Sequence, residues 1–473
     1  MSHHVNVQAA SDHHQQDGLP IPRRYWSVIS IWLALTMAVL DGAIANVALP
    51  VIARELGASP ASSVWVINAY QLTITILLLP LAALGDRIGY KCIYIPGLAL
   101  FTLGSVGCAA GGTLTLLIAA RVFQGIGAAC IMSMNAALVR ATYPARLLGR
   151  GIGYNAMVLS MSAAIGPTLA AIILSVASWQ WLFLINLPIG IAALIVGRKA
   201  LPDPHGHGRP FDWGSAVLSG AMMGLVVFGA ESVAREGSHL AILMIVAGII
   251  AGAWLVWREW GDPNPLMPLD LLRIPIFALS ITTSIVSFAA QMLAYVAIPF
   301  LFQSVLGRSV FATGLLMTPW PIAVGVAAPI AGRLADRINA GLLGGIGLVI
   351  FALGLFFLSR LGAAPDNFDI AWRMALCGLG FGLFQSPNNR TIVSSAPKPR
   401  SGAAGGMLAT ARLLGQTTGA VAVGVAFHLA GIGITPTLLF TASIAALVAA
   451  AISMLRLRVP QPGRVAVYKP ILD

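Results

Sequence analysis

Fourteen apolar stretches leave this 473-residue chain little choice of fold. They run over 27–50, 63–84, 93–111, 114–139, 151–176, 181–200, 213–231, 239–257, 275–303, 312–332, 338–360, 370–390, 402–430 and 433–455. A helix needs about 20 apolar residues to cross a hydrocarbon core about 30 Å thick. Inside that core every backbone N–H and C=O must be satisfied within the chain, so spans of this length are helices. Only 9% of the residues are charged, against about 25% in soluble domains, and the mean hydropathy is +0.86. Fifty glycines and twenty-eight prolines are tolerated in membrane bundles as they would not be in soluble helices. The predicted fold class is an all-α polytopic membrane protein.

The distribution of the 28 Lys and Arg residues predicts the topology. With the N-terminus placed in the cytoplasm, 21 of them fall on inner loops and tails and five on outer loops (Arg54, Arg235, Arg308, Arg360 and Arg373). That bias follows the positive-inside rule and predicts an even number of spans with both termini cytoplasmic. It also accounts for the net charge of +12 as topology and attraction to the inner leaflet rather than nucleic-acid binding. The first apolar stretch is too long and too late for a cleaved signal peptide. The four cysteines lie in or beside spans without metal-ligand spacing, so neither a disulfide nor a metal site is expected.

The chain repeats itself. Leu84-Gly85-Asp86-Arg87-Ile88 recurs as Leu334-Ala335-Asp336-Arg337-Ile338, and Val47-Ala48-Leu49-Pro50 recurs as Val296-Ala297-Ile298-Pro299, at offsets of 250 and 249. Six helices with their loops account for about 200 residues, so two inserted helices fit the remainder. The predicted domains are a cytoplasmic tail (1–25), an N-terminal six-helix bundle (26–200), a linker with two extra spans (201–262), a C-terminal six-helix bundle (263–457) and a second cytoplasmic tail (458–473). Parallel repeats of this kind build transporters whose site lies between the halves.

Two basic residues remain inside spans, Arg121 and Arg412, and Asp41 is the one acid deep within an apolar stretch. A charge there is costly and marks a functional site by default. Asp41 is about 21 Å and Arg121 about 27 Å from the inner ends of their spans at 1.5 Å per residue, so both fall in the outer half of the membrane. Burial disfavours the charge on a carboxylate and a neighbouring guanidinium favours it, the opposition a proton carrier needs. A static ion pair is the alternative. The repeat places Ala290 opposite Asp41, so the second half has no matching carboxylate.

Several motifs resemble the major facilitator superfamily. Leu84–Lys91 and Leu334–Arg337 resemble its loop motif G-x-L-A-D-R-x-G-R-K, carried here by Asp86, Arg87, Gly89, Lys91, Asp336 and Arg337. Leu40-Asp41-Gly42-Ala43-Ile44-Ala45-Asn46-Val47-Ala48-Leu49-Pro50 resembles the first-helix motif of the fourteen-helix drug:proton antiporter branch (EmrB/QacA-type), with Ala43 in place of Thr. Arg121-Val122-Phe123-Gln124-Gly125-Ile126-Gly127-Ala128 resembles the fourth-helix motif, and Gly166-Pro167 the fifth-helix antiporter kink, with Ala170 and Ala171 in place of its final glycines. The resemblance implies a major facilitator fold of two six-helix bundles plus two inserted helices. It implies a conformational latch in the two loops and proton coupling at Asp41 and Arg121.

The expected function is proton-coupled export of amphipathic, cationic drugs or antiseptics by alternating access from an inner membrane, with deprotonated Asp41 attracting the cation. The partners are the small-molecule substrate, protons and the bilayer. No cofactor beyond the proton gradient is expected, and no motif marks a periplasmic adaptor protein. Candidate cavity residues are Asn46, Trp65, Asn68, Gln71, Gln124, Asn155, Gln291, Tyr295, Gln385, Asn388 and Arg412. Each polar one could instead make an interhelical hydrogen bond, and Arg412 could line the cavity or snorkel. The rival functions are export of an endogenous metabolite, lipid or siderophore-like compound, and a non-transporting membrane scaffold or sensor. No nucleophile, acid–base or metal-ligand constellation points to an enzyme.

Overall fold

The computed structural model describes residues 18–144, 147–202, 212–236, 239–259, 269–335, 337–396 and 401–459. Asp336, most of both predicted tails and residues 203–211, 237–238 and 260–262 of the predicted linker lie outside them. The described elements are helical, with no strand. In chain order they are α1 (Arg23–Glu55), α2 (Pro60–Ile88), α3 (Tyr90–Ala110), α4 (Leu114–Thr142), α5 (Leu148–Val176), α6 (Trp181–Ala200), α7 (Trp213–Glu236), α8 (His239–Glu259), α9 (Pro275–Val305), α10 (Val310–Leu334), α11 (Ala340–Ser359), α12 (Asn367–Ser395), α13 (Ser401–Ala430) and α14 (Thr435–Leu455). Twelve helices are long and apolar enough to cross a membrane. The two that fall short of this criterion are α7 and α12. The apolar part of α7 is Trp213–Gly229. α12 has 29 residues but carries Asp369, Arg373 and the polar run Gln385-Ser386-Pro387-Asn388-Asn389-Arg390-Thr391.

The packing follows the sequence repeat. α2 packs on α4, α3 on α4 and α6, and α1 on α5 and α6. Shifted to the second half, α10 packs on α12, α11 on α12 and α14, and α9 on α13 and α14. The halves meet where α2 packs on α13, α5 on α10 and α1 on α9. The loops repeat as well. Gly57 and Gly307, 250 residues apart, both adopt the left-handed φ that glycine favours (60° and 63°). Two residues on, Ser59 and Ser309 cap α2 and α10 by accepting from the N–H of Ser62 and Ala312, both at 3.1 Å.

The start of α1 and the end of α14 lie on one face, called the terminus face below. Arg23 Nε donates to Ala200 O (3.1 Å), tying the start of α1 to the end of α6. Arg456 Nη1, just past α14, donates to Ser280 Oγ near the start of α9 (3.1 Å). At the opposite end one apolar core draws on both halves and contains the first three residues of each copy of the repeated tetrapeptide, Val47–Leu49 and Val296–Ile298, with Pro50 and Pro299 buried as well. Gln303 Nε2 crosses this seam to Val47 O (3.0 Å). That carbonyl is one residue from Asn46 O, which Pro50 leaves without its helical donor. Towards the terminus face each half keeps its own core, and the two are bridged along α2 and α13. The halves are therefore sealed together at the end away from the termini.

Small residues set the seam. A Cβ on Gly314 of α10 would lie 2.3 Å from Ala171 Cβ and 2.6 Å from Pro167 O. Thr168 and Thr318 bond at 2.6 Å one turn along. Ala171 stands where the antiporter motif has glycine, and Gly314 on the facing helix supplies the missing space. We expect Gly314→Leu to prise this end apart, raising thiol-labelling of a cysteine placed at Leu174 in membranes by about tenfold. Unchanged labelling would mean that the contact does not hold this end closed.

The inserted pair stands outside the seam. α7 covers the α2–α13 contact and α8 packs chiefly on α7. Gly229, Gly248 and Gly252 allow that approach, each with a neighbour within 3 Å of where its Cβ would be. At the terminus face Asp212 accepts from Arg258 Nη2 (3.0 Å). The Arg258 hydrogen bond holds the Asp212 carboxyl down at about 2. Both side chains are more than 40% exposed, so the pair contributes at most about 1 kcal/mol.

Candidate functional site

Five helices of the first half converge on Asp41. α1 carries it 18 residues past Arg23, and it is 2% exposed. Asp41 Oδ2 accepts from Arg121 Nη1 of α4. Asp41 Oδ1 accepts from Gln124 Nε2 (2.8 Å) and Asn186 Nδ2 of α6 (3.0 Å). Gln124 Nε2 also donates to Ser105 Oγ of α3 (2.9 Å), and Gln124 Oε1 accepts from Arg121 Nη1 (2.6 Å). Arg121 Nε donates to Val66 O of α2 (2.9 Å), and its guanidinium lies 4.1 Å from the Tyr70 ring centroid. Arg121, Gln124, Ser105 and Cys108 are fully buried.

Close helix approach makes the cluster possible. Arg121 and Gln124 share one face of α4 because they are three residues apart. A Cβ on Gly104 would fall 2.8 Å from the Gln124 backbone, and one on Gly125 would fall 3.1 Å from Tyr70 O. Those two glycines bring α3 and α2 against α4, so that Ser105 reaches Gln124 and Arg121 reaches Val66. Small residues at helix contacts are the usual device where hydrophobicity cannot drive helices together. Gly166 of α5 performs the same service for α1, since its Cβ would lie 2.4 Å from Ala43 Cβ. A Thr at position 43, as in the motif, would crowd that contact.

Asp41 thus has three donors and Arg121 matches its charge. The expected pairing of Asp41 with Arg121 is present. Gln124, expected in the cavity, is instead a clamp on the carboxylate. Asn186, Ser105 and Tyr70 belong to the site and were not among the candidate residues. Asn186 had a signal, a polar residue in an apolar span, but only five residues past the span's start at Trp181 it reads as interfacial. The idea that Asp41 draws a cationic substrate does not carry over to this conformation. The carboxylate is buried, and its charge is already answered by Arg121.

The other candidates scatter. Asn388 is buried and donates to Ser284 Oγ (2.8 Å), while its Oδ1 accepts from Arg456 Nη1 (2.7 Å). It therefore ties α9, α12 and the end of α14 together and does not face a cavity. Arg456, expected in an inner loop, is itself buried. Trp65 stacks on Phe228 of α7 (5.1 Å) and so faces the inserted pair. Tyr295 meets Trp320 edge-on (5.1 Å). Asn46 Nδ2 bonds back to Gly42 O (2.8 Å). The Oδ1 atoms of Asn46, Asn68 and Asn155 are buried without partners, as is Arg412 Nε. Gln71, Gln291 and Gln385 are half-buried.

In the loop motif Gly89 takes φ +101° between α2 and α3. Asp86 and Arg87 are exposed, and Lys91 is half-buried. Asp86 Oδ1 accepts from Tyr90 Oη (2.9 Å), so the residue at the first position of the motif's closing basic pair bonds the acid. Arg337 is exposed in the second copy. Among the described residues no group of three or more His, Cys, Asp or Glu side chains could hold a metal ion.

The Major Facilitator Superfamily sequence profile matches residues 31–420 and again 279–469. The chain belongs to the major facilitator superfamily. It is therefore a multi-pass membrane transporter of small molecules, not an enzyme. Among relatives, the "Uncharacterized transporter YebQ" of Escherichia coli (strain K12) is 52% identical over 94% of this chain and 98% of its own length. The "Riboflavin transporter RibZ" of Clostridioides difficile (strain 630) is 30% identical over 84% of this chain and 87% of its own. The "Multidrug resistance protein Stp" of Mycobacterium tuberculosis (strain ATCC 25618 / H37Rv) is 31% identical over 84% and 75%.

Proposed function

We propose that this protein exports amphipathic small molecules in exchange for protons by alternating access, as a member of the fourteen-helix drug:proton antiporter branch. The observation that carries this reading is the buried cluster around Asp41, with Ala290 in the equivalent place of the second half. A buried ion pair is weak evidence for stability, which favours its retention for a proton cycle. Protonation of Asp41 cancels its attraction to Arg121 and turns an acceptor oxygen into an O–H. Asn186 and Gln124 then lose their anion, and the hold of α1 on α4 and α6 loosens. Because α1 also packs on α9 across the seam, a change at Asp41 bears on the closed end. Asp86, Arg87, Gly89, Lys91, Asp336 and Arg337 act in this scheme as the latch on the terminus face, and Gly166-Pro167 as the kink beside α10.

The domain boundaries proposed are those of the sequence repeat, with both termini in the cytoplasm and the protein in an inner membrane. Fourteen crossings are supported by the inserted pair, whose ends at the terminus face meet at Asp212 and Arg258. α7 therefore crosses and α8 returns. α12 completes the second half as the counterpart of α4, its polar run tolerated because it packs inside the bundle. Export of an endogenous metabolite is the second reading, favoured by the riboflavin transporter among the relatives.

A growth-inhibition panel of dyes, antiseptics and antibiotics in an efflux-deficient host identifies an exported compound. In everted vesicles with a preset, inside-acid pH gradient, that compound is expected to collapse the gradient. Export without proton movement would rule out antiport.

A further inference from the structure

Three sides of α13 are occupied. Gly415 and Gly419 sit against Ile285 O and Ala289 O of α9. On the opposite side Thr417 bonds Thr75 of α2 (3.2 Å) and Gly424 approaches Val64. A third side, with Met407, packs into the core that includes Met222 of α7. At 3.6 residues per turn, the remaining side carries Arg412 and Gln416 and points between the halves. Ala289 adjoins Ala290, the counterpart of Asp41, and faces Gly419. Arg412 is seven residues, about 10 Å of helix rise, nearer the terminus face than that level.

Arg412 is half-buried, its Nε is buried without a partner, and no hydrogen bond or ion pair engages its guanidinium among the described residues. Of the other two deep guanidiniums, Arg121 has its charge answered by Asp41, although its Nη2 is buried without a hydrogen-bond partner, and Arg456 is held by Ser280, Asn388 and Ser453. From residue 263 onward the acids are Asp270, Asp336, Asp366, Asp369 and Asp473, none in the interior of a span. The repeat offers no answer either, since α5, the counterpart of α13, has no charge from Gly151 to Val176. Asp41 is committed elsewhere. A lone cation at this depth costs several kcal/mol, and it stands beside Ala409 and Leu413, which pack into the core of the first half.

We propose that Arg412 docks the carboxylate of an amphipathic organic anion, making the charge preference of this exporter anionic at that position. A guanidinium offers a carboxylate two parallel N–H donors, which a Lys cannot. The inference rests on the transport reading, and its test avoids both transport and protons. Purified protein in detergent is titrated with naphthalene, anthracene and pyrene carboxylates, each against its own carboxamide. At least one carboxylate is expected to bind tenfold or more tightly than its amide. Arg412→Gln should erase that preference and leave amide binding unchanged, and Arg412→Lys should keep part of it. Unchanged amide binding also reports that the variant is folded, and removal of an unanswered charge should not lower its melting temperature. The inference is overturned if wild type prefers no carboxylate, or if Arg412→Gln retains the preference. Carboxylate preference without any proton exchange in vesicles would leave Arg412 standing and remove the antiport reading.

Discussion

Asp41→Asn is expected to reduce substrate-driven collapse of a preset pH gradient to the vesicle background while the protein still binds the exported compound. Asn has the size of Asp and retains an oxygen for Gln124 and Asn186, whose donors lie 2.8 and 3.0 Å from Asp41 Oδ1. It cannot take up or release a proton, and it offers Arg121 no charge. The two expected results separate coupling from binding. The cluster has a single carboxylate, and its counterpart is Ala290, so no second acid stands ready to take over. Ligand binding by the purified variant, together with a cooperative melting transition below that of wild type, as expected for a buried Arg121 left without its partner, shows that the loss is not unfolding. Proton movement that persists in the Asn variant would sink the proposed role of Asp41.

Arg121→Gln is expected to cost about 3–5 kcal/mol of stability, the penalty for leaving one charge of a buried pair without its partner. Arg121 has more to lose than the ion pair. Its Nε holds Val66 O at 2.9 Å, its guanidinium packs on Tyr70, and it is fully buried. The double variant Asp41→Asn/Arg121→Gln removes both charges and should recover more than half of that loss. The resulting coupling energy would be near the upper end of the 0.5–3 kcal/mol seen for contacting residues. Denaturant unfolding of the four proteins in one detergent measures the cycle. Additive losses would mean that Asp41 and Arg121 do not stabilise one another, and the pair would have to be read as two separate hydrogen-bonding residues.

Much of the architecture is legible in the order of residues. Apolar length marks the spans, and two short repeats about 250 residues apart mark the halves. A third copy of that offset, Leu56-Gly57-x-Ser59 and Leu306-Gly307-x-Ser309, is visible once the left-handed turns and caps show why those residues recur. α12 is hard to class by hydropathy because its Gln385–Thr391 run is polar on a helix packed among neighbours. Asn388 reads as a cavity residue until Arg456 is seen to reach it from 68 positions away. Gln124 reads the same way, although its amide faces a carboxylate on another helix.

The chain by itself determined that this is a membrane helix bundle, repeated once, with one expensive acid and two deep arginines. It also determined which acid and arginine were worth pairing, because no other deep acid was on offer. Only the tertiary structure decided that Asn186, Ser105 and Tyr70 complete the cluster, that Arg412 has no partner among the described residues, and that Gly314 makes room for Ala171. The reason is physical. In lipid, hydropathy sets which segments are buried in the membrane but not which helix faces meet. Meeting faces are set by small residues that let backbones approach and by polar groups seeking partners, and those partners lie 80 to 150 positions away in the chain.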